Sequence, residues 1–233
     1  MKKLLIYGNC TWRGRNRMKK KLSLAALFLA LFLLLIRVVS TVDVAAIGPE
    51  GTKVGLSQIN GAVRDAVGLN MTLYKVTKYM GYAAILLAVC ILGLGAWQCV
   101  KRGSIKKVDR SIWLLAAVYA LFLALYLFFE KVIVNYRPVI IPGDTAPEAS
   151  FPSTHTMLFC MILGSAAMAA GVYMKDPKKR TLAQVVCVVW AVVGVLFRLG
   201  SGVHWLSDIV GGLLISAAVL LAFSALLDRK KTK

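Results

Sequence analysis

Six apolar runs, separated by short polar and charged stretches, dominate the chain. They cover roughly Leu22–Val42, Tyr79–Val100, Ser111–Phe129, Thr156–Met174, Leu182–Phe197 and Leu206–Leu227. A helix needs about 20 predominantly apolar residues to cross the hydrocarbon of a bilayer, and each run meets that length to within a few residues. The fifth is the shortest and is expected to extend toward Leu199 before the break Gly200-Ser201-Gly202. The pattern predicts an all-α polytopic membrane protein, a six-transmembrane-helix bundle with no room for a soluble domain. The segment from Asp43 to Lys78 is long for a bundle connection. Its second half sets Leu56, Ile59, Val63, Val67, Met71 and Tyr74 at steps of three and four. That spacing predicts a short amphipathic helix at the outer interface, which either roofs the site or only packs on the bundle.

Composition supports the bilayer as solvent. Hydrophobic residues make up 59% of the chain and the mean hydropathy is +0.72, more than a soluble core of this length can hide. The net charge of +19 would suit nucleic acid were it not for its distribution. Of the 29 Lys and Arg residues, 21 fall in the N-terminal segment, the loops after the second and fourth runs, and the tail. An even-numbered bundle gathers those four segments on one side, and the excess of Lys and Arg marks that side as cytoplasmic. Nucleic acid is therefore excluded as a partner. The expected organisation is a basic cytoplasmic segment 1–21, a six-helix transmembrane domain 22–228 and a basic cytoplasmic tail 229–233. The first apolar run exceeds the roughly 7–15 residues of a signal peptide, so an uncleaved span is preferred over cleavage near Val44-Ala45-Ala46. Met18-Lys19-Lys20-Lys21 would be a more conventional start, which leaves open whether residues 1–17 are native. Arg37 is expected to snorkel to the headgroups. Four of the five cysteines lie in apolar runs without zinc-site spacing, which predicts packing residues, no disulfide and no cysteine-bound metal.

Chemistry concentrates in two polar stretches that hold both histidines of the chain. In the second, His204 and Asp208 are four apart at the start of the sixth run. A helix would put them on one face, with the carboxylate fixing the imidazole tautomer and leaving the other nitrogen free as a nucleophile. Arg198 precedes them across the glycine break, which lets the guanidinium turn back toward the imidazole. In the first stretch, His155 opens the fourth run behind Pro152-Ser153-Thr154. A helix start offers unpaired N–H groups and a positive dipole end, which suits an anion, and Ser153 either caps the helix or donates to a phosphate oxygen. Arg137 brings a planar fork matched to phosphate, and Pro138 fixes the turn after it.

The order Lys131…Arg137-Pro138, Pro152-Ser153-x-His155 and Arg198-x5-His204-x3-Asp208 resembles the type-2 phosphatidic acid phosphatase superfamily, the integral membrane lipid phosphate phosphatases. The resemblance covers about residues 20–228. It implies His204 as nucleophile forming a phosphohistidine and Asp208 as its orienting carboxylate. It also implies His155 as the acid for the leaving oxygen, and Arg137, Arg198 and Lys131 as clamps on the phosphoryl oxygens, with Ser153 and Thr154 as further phosphate contacts. No metal and no cofactor are expected. Three positions depart from the family's pattern. Lys131 and Arg137 have five residues between them where the family has six, and Glu130 holds the family's position. Thr154 replaces a glycine, and Phe197 stands where a serine is usual.

The expected activity is hydrolysis of a lipid-linked phosphate or diphosphate, drawn from the bilayer, at the extracytoplasmic face. Undecaprenyl diphosphate is the first candidate, because a small stand-alone protein with an outward site suits carrier recycling. Phosphatidylglycerophosphate and phosphatidic acid follow. A lipid phosphotransferase and a non-enzymatic transporter or binder of anionic lipid are the readings from other classes. No obligate protein partner is implied.

Overall fold

The computed structural model describes residues 2–228, with side chains from residue 14 onward. The described residues form seven helices: α1 (Lys2–Thr41), α2 (Ser57–Val67), α3 (Met71–Arg102), α4 (Arg110–Lys131), α5 (Thr154–Tyr173), α6 (Pro177–Gly200) and α7 (Leu206–Asp228). All but α2 are long and apolar enough to cross a membrane, the portion of α1 concerned being Gly14–Thr41. The bilayer dictates this outcome, since backbone polar groups in hydrocarbon must be satisfied within the segment itself. Among the described residues only isolated bridges, such as Ala45 with Val54 and Tyr136 with Ala149, pair extended backbone. The expected tail, 229–233, lies outside the described residues.

Helix ends follow local chemistry more than hydropathy. The Asn70 side chain accepts from the Leu73 N–H at 3.0 Å, so α3 starts at Met71, eight residues before its apolar run. Asp176 does the same for α6, accepting from the N–H groups of Lys178 (2.9 Å) and Lys179 (3.3 Å) ahead of Pro177. The stripe predicted to form one amphipathic helix is divided. Gly68, at φ +67°, ends α2 after Val67, and Met71 and Tyr74 belong to α3. Asp43 anchors the first turn of α2, accepting from the Ser57 hydroxyl at 2.9 Å and the Gln58 N–H at 2.8 Å. The buried edge of α2 is polar, led by Asn60, whereas Ile59 and Val67 are exposed.

One end of the bundle is tied by Lys21 to Asp228 (2.7 Å) and by the Arg110 guanidinium to the Leu226 carbonyl (2.9 Å). The other end gathers the polar stretches: the Asn70 N–H donates to the Ser201 carbonyl (3.0 Å) and the Ser153 N–H to the Asp208 carbonyl (2.9 Å). Between them runs a core of Phe32, Phe129, Phe151, Leu115, Met157 and Met161. The central span is α5, with 56% of its apolar stretch buried, while α6, at 11%, is the most exposed and turns Val185, Val189 and Leu196 outward. A π-helical turn at Phe159–Leu163 widens α5 midway.

Small residues let α7 approach α5. A Cβ on Gly211 would sit 2.7 Å from the Phe151 ring, and one on Gly212 would sit 2.9 Å from Thr156. Gly93, by contrast, faces open space. Gly211→Val is expected to overpack this contact by about 1–3 kcal/mol and lower the thermal midpoint in detergent by about 3–10 °C. Gly93→Val should leave the midpoint within about 1 °C, and equal effects from both would contradict the packing argument.

Candidate active site

The turn between α6 and α7 builds the centre of the site. After Gly200 the chain bends through Ser201, whose hydroxyl donates to the Arg198 carbonyl at 2.7 Å, and Gly202 at φ +69°. A side chain at 202 would also collide with the Gly68 carbonyl, so only glycine fits. The turn sets His204 just before α7 rather than on it. The imidazole still meets the first turn of that helix, with Nδ1 3.4 Å from Asp208 Oδ2. Asp208, fully buried, accepts also from the Trp205 N–H at 3.0 Å and from Asn135 Nδ2 at 3.5 Å. Trp205 is pinned in turn, its indole N–H donating to the Tyr136 carbonyl at 2.6 Å.

Two guanidinium groups converge on the far side of the same ring. Arg137 Nη1 lies 3.3 Å and Arg198 Nη2 3.1 Å from His204 Nε2. Guanidinium groups only donate, so Nε2 carries the lone pair and the ring proton sits on Nδ1, toward Asp208. Burial, reinforced by the charges of Arg198 and Arg137, pushes the His204 pKa well below its ordinary value of 6.5. The imidazole is thus held neutral with the lone pair of Nε2 among cationic donors.

Each arginine is fixed differently. Arg198, at the end of α6, is wholly buried, donates to Thr77 Oγ1 at 3.4 Å and lies 5.1 Å from the centre of the Tyr74 ring. Its Nε has no partner, which leaves a buried donor for an oxyanion. Arg137 sits in the α4–α5 loop, paired through Nε with Glu148 at 2.9 Å. The loop closes on itself there: the Arg137 N–H donates to the Glu148 carbonyl and the Ser150 N–H to that of Asn135, both at 2.9 Å.

His155 occupies the first turn of α5, its ring 6.1 Å from that of Phe159. Room for it is made by Gly81 of α3, where a Cβ would lie 3.3 Å from the imidazole. The same face of α3 meets both His155 and Arg198, with Gly81 against the imidazole and Thr77 against the guanidinium. Ser153 is buried and caps α5, its oxygen 3.4 Å from the Thr156 N–H and 3.0 Å from the Thr156 hydroxyl. A narrow cleft opens over His204, lined by Arg137, Ser150, Thr154 and Glu130 between Phe129 and Phe151.

The structure therefore brings His204, Asp208, Arg137, Arg198 and His155 together, with Thr154 on the cleft wall and Ser153 behind it. Lys131 does not line the cleft. It ends α4 exposed, because neighbouring helix positions point about 100° apart and Glu130 takes the cleft-facing one. Among the described residues no three His, Cys, Asp or Glu side chains cluster as metal ligands, and Cys90, Cys99, Cys160 and Cys187 are unpaired. Cys10 lies outside the residues with described side chains.

The family model of the PAP2 superfamily matches residues 111–232, just over half of the chain and all the site residues named above except those of α3. The chain belongs to the PAP2 superfamily. Its fold is similar to that of a solved structure described as the first transmembrane PAP2 type phosphatidylglycerolphosphate phosphatase from Bacillus subtilis. The two share a TM-score of 0.60 and 21% identity over 90% of this chain and 97% of that one. No curated protein matches the sequence. As a PAP2 phosphatase-family membrane protein, the chain carries its motif residues within the matched region. The residues that position them are a different matter. Tyr74, Thr77 and Gly81 of α3, and Asn60 of α2, were not found by sequence reasoning; for the α3 residues the signal was a polar start to an apolar helix.

The neutral imidazole has a consequence for stability. Below about pH 6.5 the unfolded chain protonates at His204 while the folded one does not, so stability falls as the pH is lowered. His204→Asn is expected to flatten the decline of the thermal midpoint between about pH 7.5 and pH 5. An unaltered slope in that variant would contradict the assignment.

Proposed function

We propose that the chain hydrolyses a lipid-linked phosphate or diphosphate at the extracytoplasmic leaflet through a phosphohistidine, without a metal. The observation that carries this reading is His204: Nδ1 faces a buried carboxylate while Nε2 faces two guanidinium groups. Phosphoryl transfer asks a protein mainly for positioning and for positive charge against the equatorial oxygens, and the site offers both. In this reading Nε2 attacks phosphorus and the bond to the leaving oxygen breaks. The electron pair stays on that oxygen, which takes a proton from His155. Water then attacks the phosphohistidine, with His155 accepting its proton, and His204 is regenerated with release of phosphate.

The sidedness follows from the charge pattern. Lys21 and Arg110, which border the basic segments, lie at the end of the bundle opposite the site, and by the positive-inside rule that end is taken as cytoplasmic. Undecaprenyl diphosphate is the first substrate we propose. Phosphatidylglycerophosphate is the second, favoured by the fold likeness to a phosphatase of that lipid. Phosphatidic acid is the third.

Purified protein in detergent with EDTA is expected to release phosphate from at least one of these lipids. His204→Ala and Asp208→Ala should each lower kcat by roughly a thousandfold or more, without a comparable rise in KM. Label transferred to another lipid instead of water would make the protein a phosphotransferase. Binding of anionic lipid with no turnover in the unaltered protein would make it a transporter or binder.

A further inference from the structure

Helix α3 lies outside the matched family region, yet one face of it closes the site. The Tyr74 ring lies beneath the Arg198 guanidinium, the Thr77 hydroxyl accepts from it, and Gly81 is pressed against the His155 imidazole. These positions are separated by steps of three and four, so they form one stripe on the helix. Lys78 belongs to the same stripe, four residues after Tyr74 and three before Gly81. It is thus one turn from the glycine that packs on the His155 imidazole. The opposite wall is acidic: Glu130 lines the cleft from α4, and Glu148 holds Arg137 from the loop. The two sides of the site thus differ in sign, positive toward α3 and negative toward α4.

We propose that Lys78 is a substrate-binding residue that takes a second anionic group, on the leaving-group side of the scissile bond. The inference rests on the phosphatase reading and narrows its substrate class. Attack by His204 Nε2 is in line, so the leaving oxygen departs on the side away from that nitrogen, where His155 protonates it. Lys78 lies one turn from Gly81, which packs on His155, and belongs to the helix wall and not to the guanidinium pair at Nε2, so we place it toward what leaves and not toward the phosphoryl group transferred. A neutral alcohol, the leaving group of phosphatidic acid, gives an ammonium nothing to bind. A diphosphate leaves as a phosphomonoester anion, and a headgroup phosphomonoester beyond a phosphodiester leaves with that anion a few atoms away. The favoured substrates therefore carry a second phosphate beside the one removed. An exposed lysine near a membrane surface ordinarily serves only to reach the headgroups. Here its register with three residues that touch the site sets it apart from Lys75, which lies one position off the stripe.

The test compares the full chain in detergent with its Lys78→Ala, Lys78→Arg and Lys75→Ala variants. Initial rates would be measured on a prenyl diphosphate, phosphatidylglycerophosphate and phosphatidic acid. Lys78→Ala is expected to raise KM about tenfold for the first two and to leave phosphatidic acid within about twofold, since one charge-assisted contact is lost. Lys78→Arg should restore most of that loss, and Lys75→Ala should leave all three substrates near the unaltered protein. An equal loss on all three lipids, or no change on any, would overturn the proposal. A second arm needs no turnover: inorganic pyrophosphate should protect the unaltered protein against thermal unfolding at about tenfold lower concentration than orthophosphate, and Lys78→Ala should abolish that margin. No phosphate release from any lipid by the unaltered protein would refute the phosphatase reading. Pyrophosphate and orthophosphate binding alike, in a protein that does hydrolyse lipid phosphate, would refute the role of Lys78 alone.

Discussion

Two guanidinium groups aimed at one imidazole nitrogen set the terms for everything around them. Their nearest nitrogens lie 3.3 and 3.1 Å from His204 Nε2, and so no more than about 6.4 Å from each other. At an effective dielectric constant of about 20, like charges at that separation repel by roughly 2–3 kcal/mol. The surroundings must hold them there. Glu148 neutralises Arg137, Thr77 and the Tyr74 ring fix Arg198, and Asp208 holds the imidazole from behind. On the proposed phosphatase reading, an arriving phosphoryl group would convert that repulsion into attraction, and donors already aimed at it would need no rearrangement as charge develops.

Holding the carboxylate is a task shared by segments far apart in sequence. Asn60 of α2 donates to Ser207 Oγ at 3.0 Å and accepts from the Ser207 N–H at 3.1 Å. Asn135 reaches the same serine oxygen at 3.4 Å and Asp208 at 3.5 Å. Asn60, Asn135, Ser207 and Asp208 are all buried, so this chain of polar groups is sheltered from competing water. It gives α2 a purpose that its apolar stripe did not reveal. The helix is held to the bundle by its polar edge, through the residue next to the buried Asp208 carboxylate, while Ile59 and Val67 face outward.

These two layers explain what was legible in the sequence. The six spans were visible because hydrocarbon forbids most alternatives, and hydropathy alone records that constraint. Their ends were less so: α3 begins at Met71 instead of Tyr79 because Asn70 caps it, and capping leaves no trace in an apolar average. The motif residues could be read because the chemistry fixes their spacing within a turn or a short loop, as with Arg198, His204 and Asp208. Their supports could not. Thr77 and Gly81 look like ordinary helix-packing residues until α3 lies against α6 and α5, and Asn60 meets Ser207 across 147 positions. Long-range pairing of that kind is a product of the fold and has no local signature.

The departures at 131, 154 and 197 look like losses when the motifs are considered alone, and less so once α3 is included. One residue fewer between lysine and arginine rotates Lys131 off the cleft and Glu130 onto it, which removes a cation and adds an anion on the α4 side. Phe197 brings no hydroxyl beside Arg198, but Thr77 sets one against that guanidinium from the neighbouring helix. Thr154, where glycine is usual, carries a hydroxyl to the cleft wall. What the motifs lack in donors and positive charge, the face of α3 offers from the opposite side, with Thr77 against the arginine and Lys78 one turn from the glycine that packs on His155. The site's polarity is therefore turned relative to what its motifs alone imply. On the proposed phosphatase reading, a turned polarity would change which end of a substrate is attracted most strongly, and a lipid with charge beyond the scissile phosphate would gain more from this chain than one without it.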